Sequence, residues 1–411
     1  MKFIADFHIH SRYSRATSQQ MNIPTLSKYA KRKGISLMGS GDFTHPMWLY
    51  ELKKELESVS NGLFKHEDTF FMLTAEVSNI FVRKGKSKKV HNILFAPSFE
   101  TVEKINTQLE KYGDLSADGR PMLSLEAKDL VKIVLDIDPT CLIVPAHAWT
   151  PWFSVFGSNS GFDSMEECFE EETHNIYALE TGLSSDPPMN WRLSDLDKYT
   201  LISNSDSHSP AKIGREANAF DCEIDYKEII DVIKRKDRNK FLFTIEFFPE
   251  EGKYHYDGHR NCNLRFTPLQ TKANNGMCPI CGRKITVGVM NRVEELADRA
   301  EGFIPENHIP CKHLIPLEEI ISKVTKKGVG TTAVENEYLK LTQSKHTEFD
   351  ILIYLSKDEL SQIASKEILK GILSVREKKV TILPGYDGVY GEIEIPVEEE
   401  EEEEQVQLSL F

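Results

Sequence analysis

The sequence has no long apolar run and no cysteine pattern suited to disulfide bonds. Its longest apolar stretches, such as Thr140–Ala146 and Phe241–Ile245, are far too short to cross a bilayer. Met1 is not followed by the basic, apolar and small-residue segments of a signal peptide, so we expect a cytoplasmic protein without a membrane partner. The seven cysteines are an odd number, which argues against a disulfide framework.

An excess of positive charge is also missing. The net charge is −14, which is unfavourable for binding nucleic acid, but half of it comes from seven consecutive glutamates, Glu398–Glu404. Basic residues gather in three local groups, each typical of a solvated face when taken alone, and together they predict a basic stripe. The groups are Lys28, Lys31, Arg32 and Lys33; Arg83, Lys84, Lys86, Lys88 and Lys89; and Lys234, Arg235, Lys236, Arg238 and Lys240.

The first ten residues place three polar side chains on one face of a short strand. Asp6, His8 and His10 stand at alternate positions after the apolar Phe3–Ala5. Further short apolar strands along the chain also end in His, Asp or Glu, with helices or long loops between them. This alternation predicts a largely parallel sheet, and the polar residues at its strand ends predict a (β/α) barrel variant with a metal site.

Nine histidines and carboxylates recur in order along the first half of the chain: His8, His10, Asp42, His45, Glu76, His91, His147, Asp206 and His208. Their order resembles the metal-ligand motifs of the PHP family of phosphoesterases, which includes histidinol phosphatase and the PHP domains of bacterial DNA polymerases. The resemblance implies a distorted (β/α)7 barrel over residues 1–247, two to three divalent metals, and catalytic roles for Glu76, His147 and Asp206.

The chemistry of these residue types suits phosphoester hydrolysis. Clustered cations neutralise the negative phosphodiester and lower the pKa of a bound water. A mixed set of His and carboxylate ligands suits zinc, manganese or iron better than magnesium, and Glu76 is expected to bridge two ions. No obvious nucleophilic Ser or Cys motif suggests a covalent mechanism instead.

Two loops at the expected barrel mouth carry candidate contacts to DNA. Aromatic residues after His147 could stack on a base or wedge a duplex open, or they could pack as a lid over the barrel. A second loop runs from Glu180 to Arg192, and its polar residues could hydrogen-bond a substrate. The candidates in the two loops are Trp149, Trp152, Phe153, Glu180 and Arg192.

Two pairs of metal-type residues follow the barrel. His259-x-x-Cys262 and Cys278-x-x-Cys281 are separated by fifteen residues and predict a structural zinc knuckle over residues 248–287. Cys311 with His313, and also His255, are alternative ligands in place of His259.

Apolar spacing predicts a helical C-terminal domain over residues 288–395. The order of barrel, knuckle, helices and a Pro-Gly-Tyr-Asp-Gly segment resembles the endonuclease Q family over residues 1–395. The resemblance implies DNA repair: a nick on the 5′ side of uracil, hypoxanthine, xanthine or an abasic site, leaving a 3′-hydroxyl and a 5′-phosphate. Duplex DNA is then the expected partner, with single-stranded DNA a further candidate. The alternative is a PHP phosphoesterase acting on small phosphate monoesters, for which the knuckle would serve no purpose.

The final segment, residues 396–411, predicts a second partner. Its glutamate run is typical of a solvated spacer, and it leads to Gln407, Leu408, Leu410 and Phe411. Gln-Leu-Ser-Leu-Phe resembles the short motif that bacterial proteins insert into the groove of the DNA polymerase sliding clamp. A clamp-bound repair enzyme would work at the nucleoid.

Overall fold

The computed structural model describes residues 1–60, 62–342 and 345–396, and these residues form a mixed α/β fold, as predicted. The strands are β1 (Lys2–Asp6), β2 (Ile35–Gly39), β3 (Glu57–Ser60), β4 (Leu63–His66), β5 (Thr69–Arg83), β6 (Lys86–Ala96), β7 (Met122–Leu123), β8 (Leu142–Pro145), β9 (Ala178–Glu180), β10 (Thr200–Ile202), β11 (Ala217–Asp221), β12 (Phe241–Glu246), β13 (Asp257–His259), β14 (Leu264–Phe266), β15 (Cys311–His313), β16 (Thr381–Leu383) and β17 (Glu392–Glu394).

Helices connect most of these strands. They are α1 (Ile23–Lys33), α2 (Pro46–Glu55), α3 (Phe99–Leu109), α4 (Ala127–Ile137), α5 (Met165–Phe169), α6 (Pro187–Asn190), α7 (Tyr226–Arg235), α8 (Pro268–Ala273), α9 (Val289–Leu296), α10 (Leu317–Thr325), α11 (Thr332–Thr342), α12 (Lys357–Ile363) and α13 (Lys366–Arg376). Among the described residues, no helix combines the length and apolar character needed to cross a membrane.

Helix α1 shows how local sequence signals define an element. Asn22 caps its N-terminus by accepting a hydrogen bond from the backbone N–H of Thr25 at 3.1 Å, and Pro24 occupies the first turn. Leu26 and Ala30 form part of its buried face, and Gly34 ends the helix with a φ of 89°, which a residue with a Cβ rarely adopts. A capping side chain, a proline and a terminal glycine thus mark the two ends of this helix.

The central sheet is mixed, so the prediction of a largely parallel sheet is wrong. Strand β1 lies between β2, which runs parallel to it, and β11, which runs antiparallel. β2 pairs in parallel with β5, but β6 is antiparallel to both of its partners, β5 and β8. β5 and β6 are antiparallel because a tight turn at Lys84 and Gly85 joins them, and the φ angles of 50° and 73° suit a two-residue hairpin.

Two further strands complete the surroundings of β1. β9 and β10 pair in parallel, and the backbone N–H of Ala148, after β8, donates to the carbonyl of Glu180 at 2.9 Å. Beyond β10, Ser207 forms a parallel bridge with Ile9. The polar ends of β1, β9 and β10 therefore meet at one place, while the closed barrel of seven strands stays a prediction.

The C-terminal region is less helical than predicted. It contains α9 to α13, but β15 joins the central sheet in parallel beside β12, and β16 and β17 form an antiparallel pair. The segment between these last two strands returns to the knuckle, where Asp387 accepts hydrogen bonds from the backbone N–H of Arg260 and from the Thr286 hydroxyl. The strand pairing and this contact join residues far apart in sequence. The periodicity of apolar residues that predicts helices therefore contains no signal for them.

Candidate metal centre

Four residues after β1, within β5 and after β10 form the first donor group. It consists of His8, His10, Glu76 and Asp206, whose ligand atoms all lie within 4.8 Å of one another. The Nε2 atoms of His8 and His10 lie 3.3 and 3.1 Å from Oε2 of Glu76. Oδ1 of Asp206 lies 3.1 Å from Nε2 of His10. Two imidazole nitrogens and two carboxylate oxygens therefore point at a common position.

A second donor group shares Glu76 with the first. Nδ1 of His91 and Nε2 of His147 lie 2.7 and 3.0 Å from its other oxygen, Oε1. The hairpin places His91 here, because His91 pairs with Ser78, which is two residues beyond Glu76 and on the same face of β5. Glu76 thus belongs to both donor groups, and its role as a bridge between two ions stays a prediction.

Strained backbone positions the loop residues of the centre. Asp42, His147 and Asp206 have φ angles of 47°, 32° and 46°, a region that side chains with a Cβ rarely adopt. Gly182 packs directly on His147, since a Cβ on this glycine would lie 2.4 Å from the Cβ of His147. Such positions persist where surrounding contacts hold them, and here His147 and Asp206 face the centre while Asp42 faces His10.

Two predicted site residues hold histidines rather than facing the common position. Glu180 is fully buried, and its carboxylate lies 3.0 Å from Nδ1 of His8. Asp42 lies 3.0 Å from Nδ1 of His10, and its second oxygen accepts hydrogen bonds from Ser11 and Ser14. Each carboxylate thereby directs the Nε2 atom of its histidine towards Glu76. Asp42 thus lies outside both donor groups and its role as a metal ligand stays a prediction, whereas the full burial of Glu180 argues against its predicted contact with DNA.

His45 and His208 also lie outside both donor groups. His45 precedes α2, and its ring stacks on Tyr13 with centroids 4.5 Å apart. The ring of His208 lies 4.5 Å from the ring of His10, but its Nδ1 bonds to the backbone carbonyl of Asp206. Of the nine predicted ligands, six therefore form the two groups.

The charges of the centre are strongly coupled. Burial lowers the pKa of His8, but the carboxylates of Glu180 and Glu76 outweigh it and hold this pKa well above its usual value. Burial raises the pKa of Glu76, but His91, Arg120 and His8 outweigh it and hold the carboxyl well below its usual range. Burial also lowers the pKa of His91 to about 4. An anionic Glu76 surrounded by imidazoles is a suitable environment for a cation.

The donor atoms fit divalent metals. Nε2 of His8, Nε2 of His10 and Oδ1 of Asp206 are buried and have no hydrogen-bond partner among the described residues. Buried polar atoms without partners are costly, and a cation would satisfy all three at once. Mixed nitrogen and oxygen donors are typical of zinc, manganese and iron sites.

Arg120 is a residue of the centre that the sequence analysis missed. Its Nη1 atom lies 3.1 Å from Oε2 of Glu76. The residue follows Gly119 in a loop far from any of the ligand motifs, so no spacing signal pointed to it.

The aromatic loop after His147 divides into a buried part and an exposed part. Trp149 is 1% exposed and packs against Phe156. This burial favours the prediction that the residue packs in a lid over that of a surface on which a base stacks. Trp152 is 54% exposed, and the ring of Phe153 lies 4.7 Å from the ring of His91. These two residues remain candidates for DNA contact at the edge of the centre.

Arg192, the last candidate of the second loop, is not free to bind DNA. It is buried, and its Nη2 donates to Glu294 of α9 at 2.6 Å. Its backbone carbonyl also accepts hydrogen bonds from the N–H groups of Asp298 and Arg299. These contacts tie Arg192 to residues 294–299 and argue against its predicted contact with DNA.

The predicted zinc ligands form one group. His259, Cys262, Cys278 and Cys281 have ligand atoms within 4.8 Å of one another, and the alternatives His255, Cys311 and His313 lie outside it. Burial raises the pKa of the Cys278 thiol, but the backbone N–H groups of Cys281 and Ile280 outweigh it, so the pKa is lowered. A lowered thiol pKa favours the thiolate form that zinc binds. Four nitrogen and sulfur donors with no open position suit a structural site.

The clamp-binding residues Gln407, Leu408, Leu410 and Phe411 lie outside the described residues.

Comparisons with solved structures find two close matches over nearly the whole chain. The first is the crystal structure of the novel lesion-specific endonuclease PfuEndoQ from Pyrococcus furiosus, with 33% sequence identity, a TM-score of 0.87 and coverage of 96% of each chain. The second is Endonuclease Q in complex with a 27-mer duplex substrate with an abasic lesion at the active site. It has 33% identity, a TM-score of 0.85 and coverage of 96% of this chain and 97% of that one.

Sequence comparisons agree with the structural ones. A family model described as the MJ0043 C-terminal domain matches residues 316–379. The uncharacterized protein MJ0043 of Methanocaldococcus jannaschii is 36% identical over 256 residues, which are 60% of this chain and 31% of that protein. The chain thus spans under a third of this relative. The uncharacterized protein YqxK of Bacillus subtilis is 27% identical over 411 residues, covering 96% of this chain and 99% of that one.

Proposed function

This chain belongs to the endonuclease Q family and is a metal-dependent DNA endonuclease; we propose that it cuts the phosphodiester on the 5′ side of uracil, hypoxanthine, xanthine and abasic sites, leaving a 3′-hydroxyl and a 5′-phosphate. One observation carries the proposal. Two donor groups share a buried Glu76, in a chain that resembles a lesion-specific endonuclease along 96% of its length.

The two donor groups would hold the metals of this reaction. His8, His10 and Asp206 would bind one ion, and His91 and His147 a second, with one oxygen of Glu76 available to each. When bound, the ions supply positive charge at the scissile phosphate and lower the pKa of a water molecule. Zinc, manganese and iron suit these donors best, with magnesium a weaker candidate.

The exposed Trp152 and the half-buried Phe153, whose ring lies beside His91, would read the lesion. Lys89 lies over the rings of Trp152 and Phe153, with Nζ 5.6 and 5.0 Å from their centroids. A base that leaves the duplex could stack on such a surface, while the lysine would attract the phosphate backbone. Damaged or mispaired bases cost least to extrude, and this supports selection of lesions.

The division of the chain supports the same function. We assign residues 1–247 to the catalytic unit, residues 248–287 to a knuckle with one structural zinc, and residues 288–395 to a C-terminal unit. Asp387 accepts a hydrogen bond from Arg260 of the proposed knuckle, and Arg192 donates one to Glu294 of the proposed C-terminal unit, so the three proposed units contact one another. Such an enzyme would work in the cytoplasm at the nucleoid.

The decisive experiment compares defined DNA substrates. End-labelled duplexes carrying one uracil, one hypoxanthine, one abasic site or no lesion would be incubated with metal-loaded protein, with and without chelator. A single metal-dependent nick just 5′ of each lesion is expected. The variant Asp206→Asn should lose it, whereas Asp136→Asn, which changes an exposed carboxylate on α4, should keep it. Cutting that ignores the lesion would contradict the proposal.

The same protein would test the alternative activity. A PHP phosphatase would hydrolyse a chromogenic phosphate monoester efficiently and leave all four duplexes intact. That result would replace the repair function with monoester hydrolysis.

The end of the chain supports a clamp-binding role. Gln407, Leu408, Leu410 and Phe411 would insert into the hydrophobic groove of a bacterial sliding clamp, with residues 396–406 as a spacer. Phe411→Ala should abolish binding to purified clamp while nicking without clamp is unchanged. Ser409→Ala, inside the same motif, is the matched control and should bind. Equal clamp binding by Phe411→Ala and the unaltered protein would contradict this role.

A further inference from the structure

The loop before β7 brings an arginine to the rim of the metal centre. Gly119 allows the close approach, since a Cβ there would lie 2.3 Å from Oδ2 of Asp42 and 2.3 Å from Oγ of Ser14. The loop is held on both sides: the N–H of Gly119 donates to the carbonyl of Tyr13, and the N–H of Ser78 donates to the carbonyl of Pro121. The backbone of Arg120, between these anchors, is therefore fixed beside the donor groups.

The side chain of Arg120 faces both solvent and the centre. It is 30% exposed, whereas the carboxylate of Glu76 that it contacts is fully buried. In the part of the chain that the structure describes, this contact is the one hydrogen bond of the guanidinium group. A guanidinium carries five N–H donors, so most of its capacity is unused.

The partner of Arg120 is also the residue on which both donor groups converge. Oε2 of Glu76 already lies within 3.3 Å of Nε2 of His8 and Nε2 of His10. A cation held by these donors would take the same oxygen. The guanidinium would then need another anion, and the substrate phosphate is the anion that enters from the solvent side.

We propose that Arg120 is a catalytic residue that donates hydrogen bonds to the non-bridging oxygens of the scissile phosphate. This inference rests on the proposed phosphodiester cleavage. The planar guanidinium matches two phosphate oxygens at once and stays charged throughout the reaction. Fixed donors aimed at oxygens that gain charge in the transition state accelerate the chemical step.

The test measures single-turnover cleavage by Arg120→Ala and Arg120→Lys on an abasic duplex and on bis(p-nitrophenyl) phosphate. Arg120→Ala should lose about 10²–10³-fold in rate on both substrates. Metal content, measured by mass spectrometry, should be unchanged. Added guanidinium ion should restore at least part of the lost rate, and Arg120→Lys should fall between the two proteins. The matched control is Arg15→Ala, because Arg15 is 77% exposed and contacts Asp118 of the same loop without approaching Glu76.

Three results would overturn this role. They are a rate for Arg120→Ala within threefold of the unaltered protein, a loss of metal that accounts for the loss of rate, or a loss that guanidinium ion does not relieve. The second substrate separates this inference from the proposed function. An unaltered protein that hydrolyses the small diester but ignores lesions would refute lesion recognition. The role of Arg120 would then be tested by comparing the rates at which Arg120→Ala and the unaltered protein hydrolyse the small diester.

Discussion

Replacement of Glu180 tests whether this buried carboxylate orients the metal ligands. Its oxygens accept hydrogen bonds from Nδ1 of His8 at 3.0 Å, from the backbone N–H of His147 at 2.8 Å and from the side-chain amide of Asn204 at 2.9 Å. Glu180→Gln keeps one accepting oxygen and replaces the other with an amide group. We expect metal affinity to fall about 10–100-fold, which is the usual effect of removing a partner of a ligating histidine.

Glu180→Ala should have a second effect, on folding. It leaves three buried donors without acceptors, and each costs about 1–3 kcal/mol in the free energy of unfolding. Thermal unfolding should therefore show a clearly lower Tm for Glu180→Ala and a smaller decrease for Glu180→Gln. Metal affinity would be measured by competition with a chromophoric chelator. Glu110→Gln, at the exposed end of α3, is the control.

The same variants distinguish orientation of ligands from contact with DNA. If Glu180 binds DNA, Glu180→Gln will retain metal affinity within about twofold and will instead weaken binding of an abasic duplex to metal-free protein. That result would refute the role assigned from the structure.

Three further substitutions test other parts of the molecule. Trp152→Ala should weaken binding of a uracil-containing duplex by about 1–3 kcal/mol in fluorescence anisotropy, because stacking on the extruded base is lost, and should leave Tm unchanged since the side chain is 54% exposed; unchanged affinity would contradict stacking. Cys278→Ser should lose the knuckle zinc and lower Tm, as chelation of the unaltered protein should; retained zinc would exclude Cys278 as a ligand. Burial raises the pKa of Glu246 to about 8, so the folded protein keeps a proton that the unfolded chain releases near 4.5. This residue should make the free energy of unfolding fall as pH rises from 4.5 to 8, by up to about 1.4 kcal/mol per pH unit, and Glu246→Gln should reduce the fall in urea unfolding between pH 5 and 8. Equal pH dependence of both proteins would contradict a protonated Glu246.

Local sequence signals predicted much of the site because several of its parts are local. The alternation of His8 and His10 places both side chains on one face of an extended segment, whatever the rest of the fold does. The spacing of His259 and Cys262, and of Cys278 and Cys281, likewise brings each pair together within one turn. These arrangements depend on backbone geometry over a few residues, so they can be predicted from one sequence.

The sequence by itself therefore determined the α/β class, the six residues of the two donor groups, and the one histidine and three cysteines that gather as a candidate zinc site. Only the tertiary structure decided which polar residues face the centre and which stand behind it. Asp42 and Glu180 are of the same chemical type as Glu76, yet they bond to the far nitrogens of His10 and His8. Arg120 reaches Glu76 from a loop with no motif. The spacing of residues along a strand predicts on which face of the strand each side chain lies. The distances between atoms of different strands depend instead on how those strands and loops pack.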